Sequence, residues 1–335
     1  MSILITGGLG FIGINTTAEL LINNKNVIIV DLPTSSPIID FLQTKFNNKL
    51  KYYSLNLLDK DLLDNIFSNN PDITTVIHCA GYKMANNNTN IPEYYQNNIS
   101  TTLNLLDIMK KHNVKNFIFN SSANVYENCP DINKHIEDID LPMPNNIYGQ
   151  SKLFIEQILK DLCISDTSFN STILRIYNPI GIHPIFKNNF DYDMLKKFNH
   201  LPTIIAQVLT NKKEQLEIYI NNNDNKLENN FIRDYIPIIE LTKLYNFLTD
   251  HIPQNYNIYN IGTGKGYSIL ELINIFEKIS NKKVNYITKS INRPIISTSI
   301  ANINKIKQEL NYNLQESNTL IESSCLDIFE CFKNN

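Results

Sequence analysis

Residues 7–13 read Gly7-Gly8-Leu9-Gly10-Phe11-Ile12-Gly13. A β-branched run, Ile3-Leu4-Ile5, precedes them, and an apolar helical pattern follows through Ile14, Ala18, Leu21 and Ile22. Strand, glycine-rich turn and helix in this order form a dinucleotide-binding arrangement. Small residues let the backbone approach a pyrophosphate, which then sits on the helix N-terminus. The Gly7-x-x-Gly10-x-x-Gly13 spacing gains weight from a second strand, residues 26–30, that ends in Asp31. A carboxylate about 20 residues after such a turn can accept from the adenosine ribose hydroxyls. It repels a 2′-phosphate, so NAD is expected over NADP. An ordinary turn followed by a solvated Asp is the alternative.

Further strand-like runs fall at 51–55, 76–80 and 117–121, each bounded by helical stretches. Strands and helices that alternate at this length predict an α/β chain: a Rossmann-type doubly wound parallel sheet. Ligands then collect at the carboxyl ends of the strands. The segments after two of those ends, Cys79-Ala80-Gly81-Tyr82-Lys83 and Ser121-Ser122-Ala123-Asn124-Val125-Tyr126, should border the cofactor. Tyr148-Gly149-Gln150-Ser151-Lys152 then opens an amphipathic helix marked by Leu153, Ile155, Ile158, Leu159 and Leu162. Tyr148 and Lys152, four residues apart, share one helix face. The ammonium can lower the phenol's pKa through space and hold a nicotinamide ribose. A Tyr so tuned can act as acid and base toward a sugar hydroxyl, with Ser122 bonded to the same hydroxyl. The competing reading is a surface helix that happens to start with this common pattern.

The chain has 335 residues, 42% hydrophobic and 19% charged, with a formal net charge of −3. That length suits one large unit or two packed domains. The charge balance carries no nucleic-acid footprint, which needs a basic excess or stripe. No run approaches the roughly 18 apolar residues of a membrane span. The N-terminus enters a strand-like run at once, so neither a signal nor a transit peptide is expected. Five cysteines, odd in number and without CxxC spacing, predict neither a disulfide framework nor a zinc site, and the six histidines show no metal-ligand spacing. A soluble protein of the reducing cytoplasm is expected. Asn supplies roughly 15% of residues, against a few per cent in ordinary globular proteins. Lys nearly displaces Arg, and Gly numbers only 10. Such a bias points to an A/T-rich coding genome. The surviving glycines and the three arginines (Arg175, Arg233 and Arg293) should therefore mark positions where no other residue serves.

These motifs together resemble the extended short-chain dehydrogenase/reductase family, and within it the UDP-glucose 4-epimerase branch. The matching stretches are Thr6-Gly7-Gly8-x-Gly10-Phe11-Ile12-Gly13, His78-x-Ala80-Gly81-x-Lys83, Tyr94-Tyr95-x-Asn97-Asn98, Ser121-Ser122-Ala123-x-Val125-Tyr126 and Tyr148-Gly149-x-Ser151-Lys152. They continue through Arg175-x-x-Asn178-Pro179-x-Gly181-x-His183-Pro184, Ala206-Gln207-Val208, Ile232-Arg233-Asp234-Tyr235-Ile236 and Tyr259-Asn260-x-Gly262-x-Gly264-x-Gly266. Dehydratases, decarboxylases and reductases share the Tyr/Lys/Ser set. The Ala-Gly-x-Lys, Asn-Pro-x-Gly-x-His-Pro and Arg-Asp-Tyr-Ile segments sit closer to the epimerases. A non-catalytic dinucleotide sensor, a further alternative, usually loses the Tyr or the Lys, and both are here.

The resemblance implies an NAD-dependent isomerase. Tyr148, as phenolate, takes the proton of the sugar 4-hydroxyl while C4 gives hydride to NAD, and the 4-keto sugar turns over to receive the hydride on its other face. Lys152 and Ser122 complete the catalytic set. Implied NAD contacts are Gly7, Gly10, Phe11, Ile12, Gly13, Asp31, Ser36, Asn56, Leu57, Cys79, Ala80, Gly81, Lys83, Asn97, Tyr148, Lys152 and Tyr177. Implied UDP-sugar contacts are Lys83, Ser122, Asn124, Tyr148, Asn178, His200, Leu201, Glu217, Tyr219, Arg233, Arg293 and Ser299. Arg233 suits a diphosphate or, alternatively, a domain-bridging ion pair. Ser299, a small residue a few places before Ala301-Asn302, falls where the family gates N-acetylated sugars, which predicts activity on UDP-GlcNAc and UDP-GalNAc too.

The chain departs from the family pattern at Leu32, at Asn56 (usually Asp), at Glu127 (usually Gly), at His200 and around Arg293, where an Arg-x-Gly-Asp segment has lost its acid. Two domains are expected. Residues 1–175 plus about 236–258 would form an NAD-binding Rossmann domain. About 176–235 and 259–335 would form a smaller, mixed α/β UDP-sugar-binding domain. A homodimer is implied through helices near 97–112 and 148–163, with no nucleic-acid or membrane partner and no metal.

Overall fold

The computed structural model describes residues 1–34, 36–83, 90–127, 142–187, 200–221, 231–291, 298–314 and 318–334. Of the residues singled out above, Arg293 lies outside them. Two compact units result. One takes Met1–Cys129, Leu141–Ile176 and Thr242–Tyr259; the other takes Tyr177–Leu241 and Asn260–Asn335.

The first unit is built on strands β1 (Ser2–Thr6), β2 (Asn26–Asp31), β3 (Leu50–Ser54), β4 (Ile73–His78), β5 (Asn116–Ser122) and β6 (Asn170–Ile176). Its helices are α1 (Phe11–Ile22), α2 (Pro37–Phe46), α3 (Lys60–Asn69), α4 (Ile91–Tyr95), α5 (Thr101–Lys111) and α6 (Ile147–Ser165). With β10 (Tyr256–Ile261) at one edge, the strands order as β10-β6-β5-β4-β1-β2-β3. The pairs from β3 across to β6 are parallel. This is the expected doubly wound sheet. Its central strands carry near-continuous apolar runs because helices cover both faces: Leu4, Ile5, Val76, Ile77 and Phe119 are fully buried. Strand order reverses beside β1, so the ends of β1, β2, β4 and β5 meet where such sheets bind their ligands.

The second unit holds β7 (Asn178–Ile180), α7 (Leu201–Leu209), β8 (Leu216–Asn221), β9 (Ile232–Pro237), β11 (Gly266–Tyr267), α9 (Ile269–Ser280), β12 (Tyr286–Ile291), β13 (Thr298–Ser299), α10 (Asn304–Leu310) and α11 (Asn318–Asn334), with α8 (Ile238–Asp250) leading back to the first. β11, β9, β13 and β7 form one sheet, and β12 and β8 a separate ribbon. Ser268 caps α9 through a capping box with Glu271. Among the described residues no helix is long and apolar enough to cross a membrane.

The depleted glycine has a physical answer in the backbone. Among the described residues, seven of the eight non-glycine residues at positive φ are Asn, including the helix-ending Asn281 and Asn311. Asn is the residue that best tolerates this conformation after Gly. Asparagine has taken over the left-handed turns, and glycine is kept chiefly where a Cβ would collide: at seven of its ten positions one would lie under 3.0 Å from another atom.

Candidate active site

The glycine turn between β1 and α1 is shaped for an anion. Gly10 is the N-cap of α1, no side chain caps it, and its first turn holds no acid. The positive end of the helix dipole therefore faces the turn, where an anion is favoured. A Cβ on Gly13 would sit 2.3 Å from the Gly7 carbonyl oxygen, so the chain itself demands glycine there. A Cβ on Gly10 would meet only that same oxygen, at 3.1 Å. The space over Gly10 is open, as close approach of a pyrophosphate requires. Phe11 and Ile12, half-buried, start the helix. At the end of β2 the Leu9 N–H donates to Asp31 Oδ2 (2.7 Å) and the Leu32 N–H to Oδ1 (2.7 Å). Burial raises the pKa of Asp31, and the two amides oppose that rise. The carboxylate is held against the turn. Ser36 precedes α2 in extended backbone. Asn56 and Asn97, with Leu58, Tyr82, Pro92 and Gln96, line a cavity of about 470 Å³ in this unit. Leu57 instead faces the core. Lys83 is exposed.

Tyr148, Lys152 and Ser122 come together as the spacing requires. Asn146 caps α6, its Oδ1 accepting from the Gly149 N–H (2.8 Å), and Glu127 in turn accepts from Asn146. The departure at 127 thus serves the start of this helix. Lys152, 3% exposed, places its ammonium 4.7 Å from the Phe119 ring centre and 5.7 Å from that of Tyr148. Gly81 borders it: a Cβ there would be 3.5 Å from Nζ. Ser122 Oγ donates to Asn124 Oδ1 (3.3 Å) and accepts from the Asn124 N–H (3.2 Å). In one respect the expectation fails. Desolvation pushes the Tyr148 phenol up to about 12, against the Ser122 hydrogen bond that favours phenolate, whereas the spacing suggested a lowered value. Desolvation also brings Lys152 down to about 8. Burial disfavours both charged forms. Cys79 is no nucleophile: desolvation lifts its thiol to about 12.

Several residues that support this site went unassigned in the sequence. Thr6, His78, Thr102 and Asn98 form a buried chain. His78 Nδ1 lies 2.6 Å from Thr6 Oγ1, and His78 Nε2 lies 2.9 Å from Thr102 Oγ1. Thr102 spends its own proton on the Asn98 carbonyl (2.7 Å), so Nε2 must be the donating nitrogen. Desolvation holds His78 neutral, at about 3. From Asn98 the chain runs through Nδ2 to Ser151 Oγ (2.9 Å) and on to the Tyr148 carbonyl (2.8 Å). A π-helical turn at Gln96–Ser100 aims Asn98 inward. Asn98 and Ser151 sat inside the quoted motifs, but only the fold shows them touching.

In the second unit, Arg233 and Ser299 are register partners on β9 and β13, so their side chains share one sheet face. Asp234 beside them is fully buried and accepts from the Thr263 N–H (2.8 Å), Thr263 Oγ1 (2.8 Å), the Gly264 N–H (2.9 Å) and the Ala301 N–H (3.1 Å). Asn178 Nδ2 donates to the Asp234 carbonyl (2.9 Å). Tyr177, buried, donates its N–H to the Ile261 carbonyl (3.0 Å). His200 caps α7, its N–H donating to Thr203 Oγ1 (3.1 Å), and Leu201 begins that helix. Glu217 and Tyr219 lie on the separate ribbon, tied to each other (2.9 Å) and to Lys289 (2.7 Å from Glu217).

Comparison with known proteins agrees with this geometry. The pattern of the NAD dependent epimerase/dehydratase family matches residues 3–262. The chain is 35% identical to the UDP-glucose 4-epimerase of Bacillus subtilis (strain 168) over 332 residues, 98% of this chain and 95% of that protein. It is 38% identical to that of Haemophilus influenzae over 291 residues, 85% of each chain. A crystal structure of UDP-glucose 4-epimerase from Bifidobacterium longum in complex with NAD+ and UDP superposes with a TM-score of 0.86 at 32% identity, over 100% of this chain and 99% of that one. The chain belongs to the NAD dependent epimerase/dehydratase family.

Proposed function

We propose that this protein is an NAD-dependent 4-epimerase that interconverts UDP-glucose and UDP-galactose, and also the N-acetylated pair. The observation that carries the reading is Lys152. Its ammonium is buried beside Tyr148 and Gly81, and among the described residues it has no hydrogen bond or ion pair. A buried cation left so is costly unless a ligand completes it. A ribose diol does that. The open space over Gly10, the uncapped N-terminal end of α1 and the aimed carboxylate of Asp31 fit the rest of the dinucleotide, and the cavity at Asn56 and Asn97 suits its adenine. NAD supplies a positively charged hydride acceptor and returns the hydride.

The chain's own residues move the proton. Tyr148, aligned by Ser122, takes it from the sugar 4-hydroxyl and later returns it. Burial keeps the phenol protonated in the free chain, so its ionisation depends on the positive charge gathered next to it, Lys152 included. Arg233, a planar fork, suits the diphosphate, and Asn178, His200, Leu201, Glu217, Tyr219 and Arg293 would take the remainder of the nucleotide sugar. Ser299 leaves room for an acetamido group. The first unit is read as the NAD domain and the second as the UDP-sugar domain. Leu103 on α5 and Phe154 on α6 are 43% and 44% exposed, which supports a homodimer through those helices. The reduced cysteines Cys79, Cys163, Cys325 and Cys331 suit a reducing cytoplasm.

Purified protein given UDP-galactose should form UDP-glucose without added reductant. Tyr148→Phe should lower kcat by about 10²–10⁴-fold with NAD still bound. Loss of water or carbon dioxide from the sugar, or near-normal turnover by the variant, would overturn the assignment.

A further inference from the structure

Eight residues beyond Tyr148 and four beyond Lys152, on the same face of α6, stands Glu156. Glu156 and Arg175 are each 2% exposed. Arg175 grips the carboxylate side-on, Nε donating to Oε1 (3.1 Å) and Nη2 to Oε2 (2.7 Å). Ser121 donates to Oε1 as well, and Arg175 Nη1 donates to the Tyr126 hydroxyl with its guanidinium 4.8 Å from the Tyr126 ring centre. In the sheet, Ser121 pairs with Arg175 and Ser122 with Ile176. One ion pair thus joins three pieces: the strand end and turn that carry Ser122 and Asn124, the helix that carries Tyr148 and Lys152, and the neighbouring strand. The other pin is Gly149, against the Asn124 carbonyl.

We infer that the Glu156–Arg175 pair is a positioning device for the reaction: it locks the Tyr148–Lys152 face of α6 over Ser122, and its carboxylate is the buried anion that keeps Lys152 charged. The inference rests on the epimerase reading above. Among the described residues, the titratable groups that face Lys152 are Tyr148 on its own helix, His78 and Cys79 at the end of β4, and Glu156, with the Phe119 ring beneath it. His78 is neutral and the Cys79 thiol keeps its proton, so Glu156 is the one anion among them. Ser121, Tyr126, Arg175 and Tyr256 face Glu156 itself. A merely structural ion pair would leave catalysis and the titration of Lys152 unmoved, provided the chain still folds.

Glu156→Gln keeps the shape and one acceptor but removes the charge. In the NAD-loaded holoenzyme it should lower kcat at least tenfold, leave KM for UDP-galactose within threefold, and keep the NAD content. The loss of the Lys152 proton should move to lower pH by about one unit or more, since a unit charge one helical turn away is removed. That step is read without substrate from the Tyr148 Cζ resonance in ¹³C-tyrosine-labelled protein, assigned by its absence in Tyr148→Phe. If Glu156→Gln does not fold, the apolar pair Glu156→Met/Arg175→Met takes its place, because such replacements commonly preserve stability. It too should lose kcat. A folded variant with normal kcat and an unmoved resonance step overturns the inference. Wild type inert toward UDP-galactose would overturn the epimerase reading instead, and the resonance step would still test this one.

Discussion

Gly149→Ala should damage catalysis although Gly→Ala in a helix ordinarily stabilises by about 0.5–1 kcal/mol. A Cβ built on Gly149 would lie 2.6 Å from the Asn124 carbonyl oxygen and 2.9 Å from Pro144 Cβ. Even close carbon–oxygen contacts sit at about 3.3 Å or beyond. Either the first turn of α6 or the 123–126 turn must therefore yield by about 0.7 Å. Neither is loose: the Gly149 N–H is committed to Asn146, and Asn124 is doubly bonded to Ser122. Overpacking of this kind costs about 1–3 kcal/mol, more than the helix propensity returns. The larger consequence is for turnover. The substitution pushes apart the two elements that carry Ser122 and Tyr148, and on the proposed mechanism a misplacement of about 1 Å can cost about 10²-fold. Epimerisation of UDP-galactose and thermal unfolding are measured on the same preparation. The expected result is kcat reduced between ten- and a hundredfold and Tm lowered by a few degrees. Turnover within twofold of wild type together with a raised Tm would refute the reasoning.

Lys152→Met should abolish turnover yet stabilise the NAD-free chain at neutral pH. The lysine's folded pKa, about 8, lies below its ordinary 10.5, a gap worth about 3 kcal/mol. The sign follows from proton counts: between those values the unfolded chain holds the extra proton, so wild-type stability rises with pH and the variant's advantage shrinks from pH 8 to 10.5. Denaturant melts at pH 7 and pH 10 check it, and an equal advantage at both contradicts the burial account. Ser299→Tyr should remove turnover of UDP-GlcNAc and spare UDP-galactose, because a bulky ring forces overpacking by the acetamido group of about 1–3 kcal/mol or more. Equal loss of both activities would place the gate elsewhere.

Local pattern was enough for the main elements of the first unit and for bringing Tyr148, Lys152 and Ser122 together, though Leu57 turned to the core. The turn Gly7–Gly13, the strand ending in Asp31 and the Tyr148/Lys152 spacing are read within a few residues of chain, where steric rules and helix periodicity act directly. Scarcity added to this: with so few glycines left, each stood out, and Gly13 and Gly149 proved to be positions where a Cβ collides with backbone. Composition gave the abundance of asparagine but not its use: among the described residues seven asparagines hold positive-φ turns.

What the sequence could not decide was energy that depends on burial and on distant partners. Spacing put Lys152 beside Tyr148 and suggested a lowered phenol pKa, but depth of burial reverses the sign, and depth is set by Phe119 and the strand beneath. Glu156 and Arg175 lie 19 residues apart, His78 and Thr102 lie 24 apart, and Asp234 gathers donors from 263, 264 and 301. No periodicity encodes such meetings. They exist only once a parallel sheet and its crossover helices have brought remote strand ends together, because a buried charge or ring nitrogen is tolerated only where the tertiary fold supplies its partner.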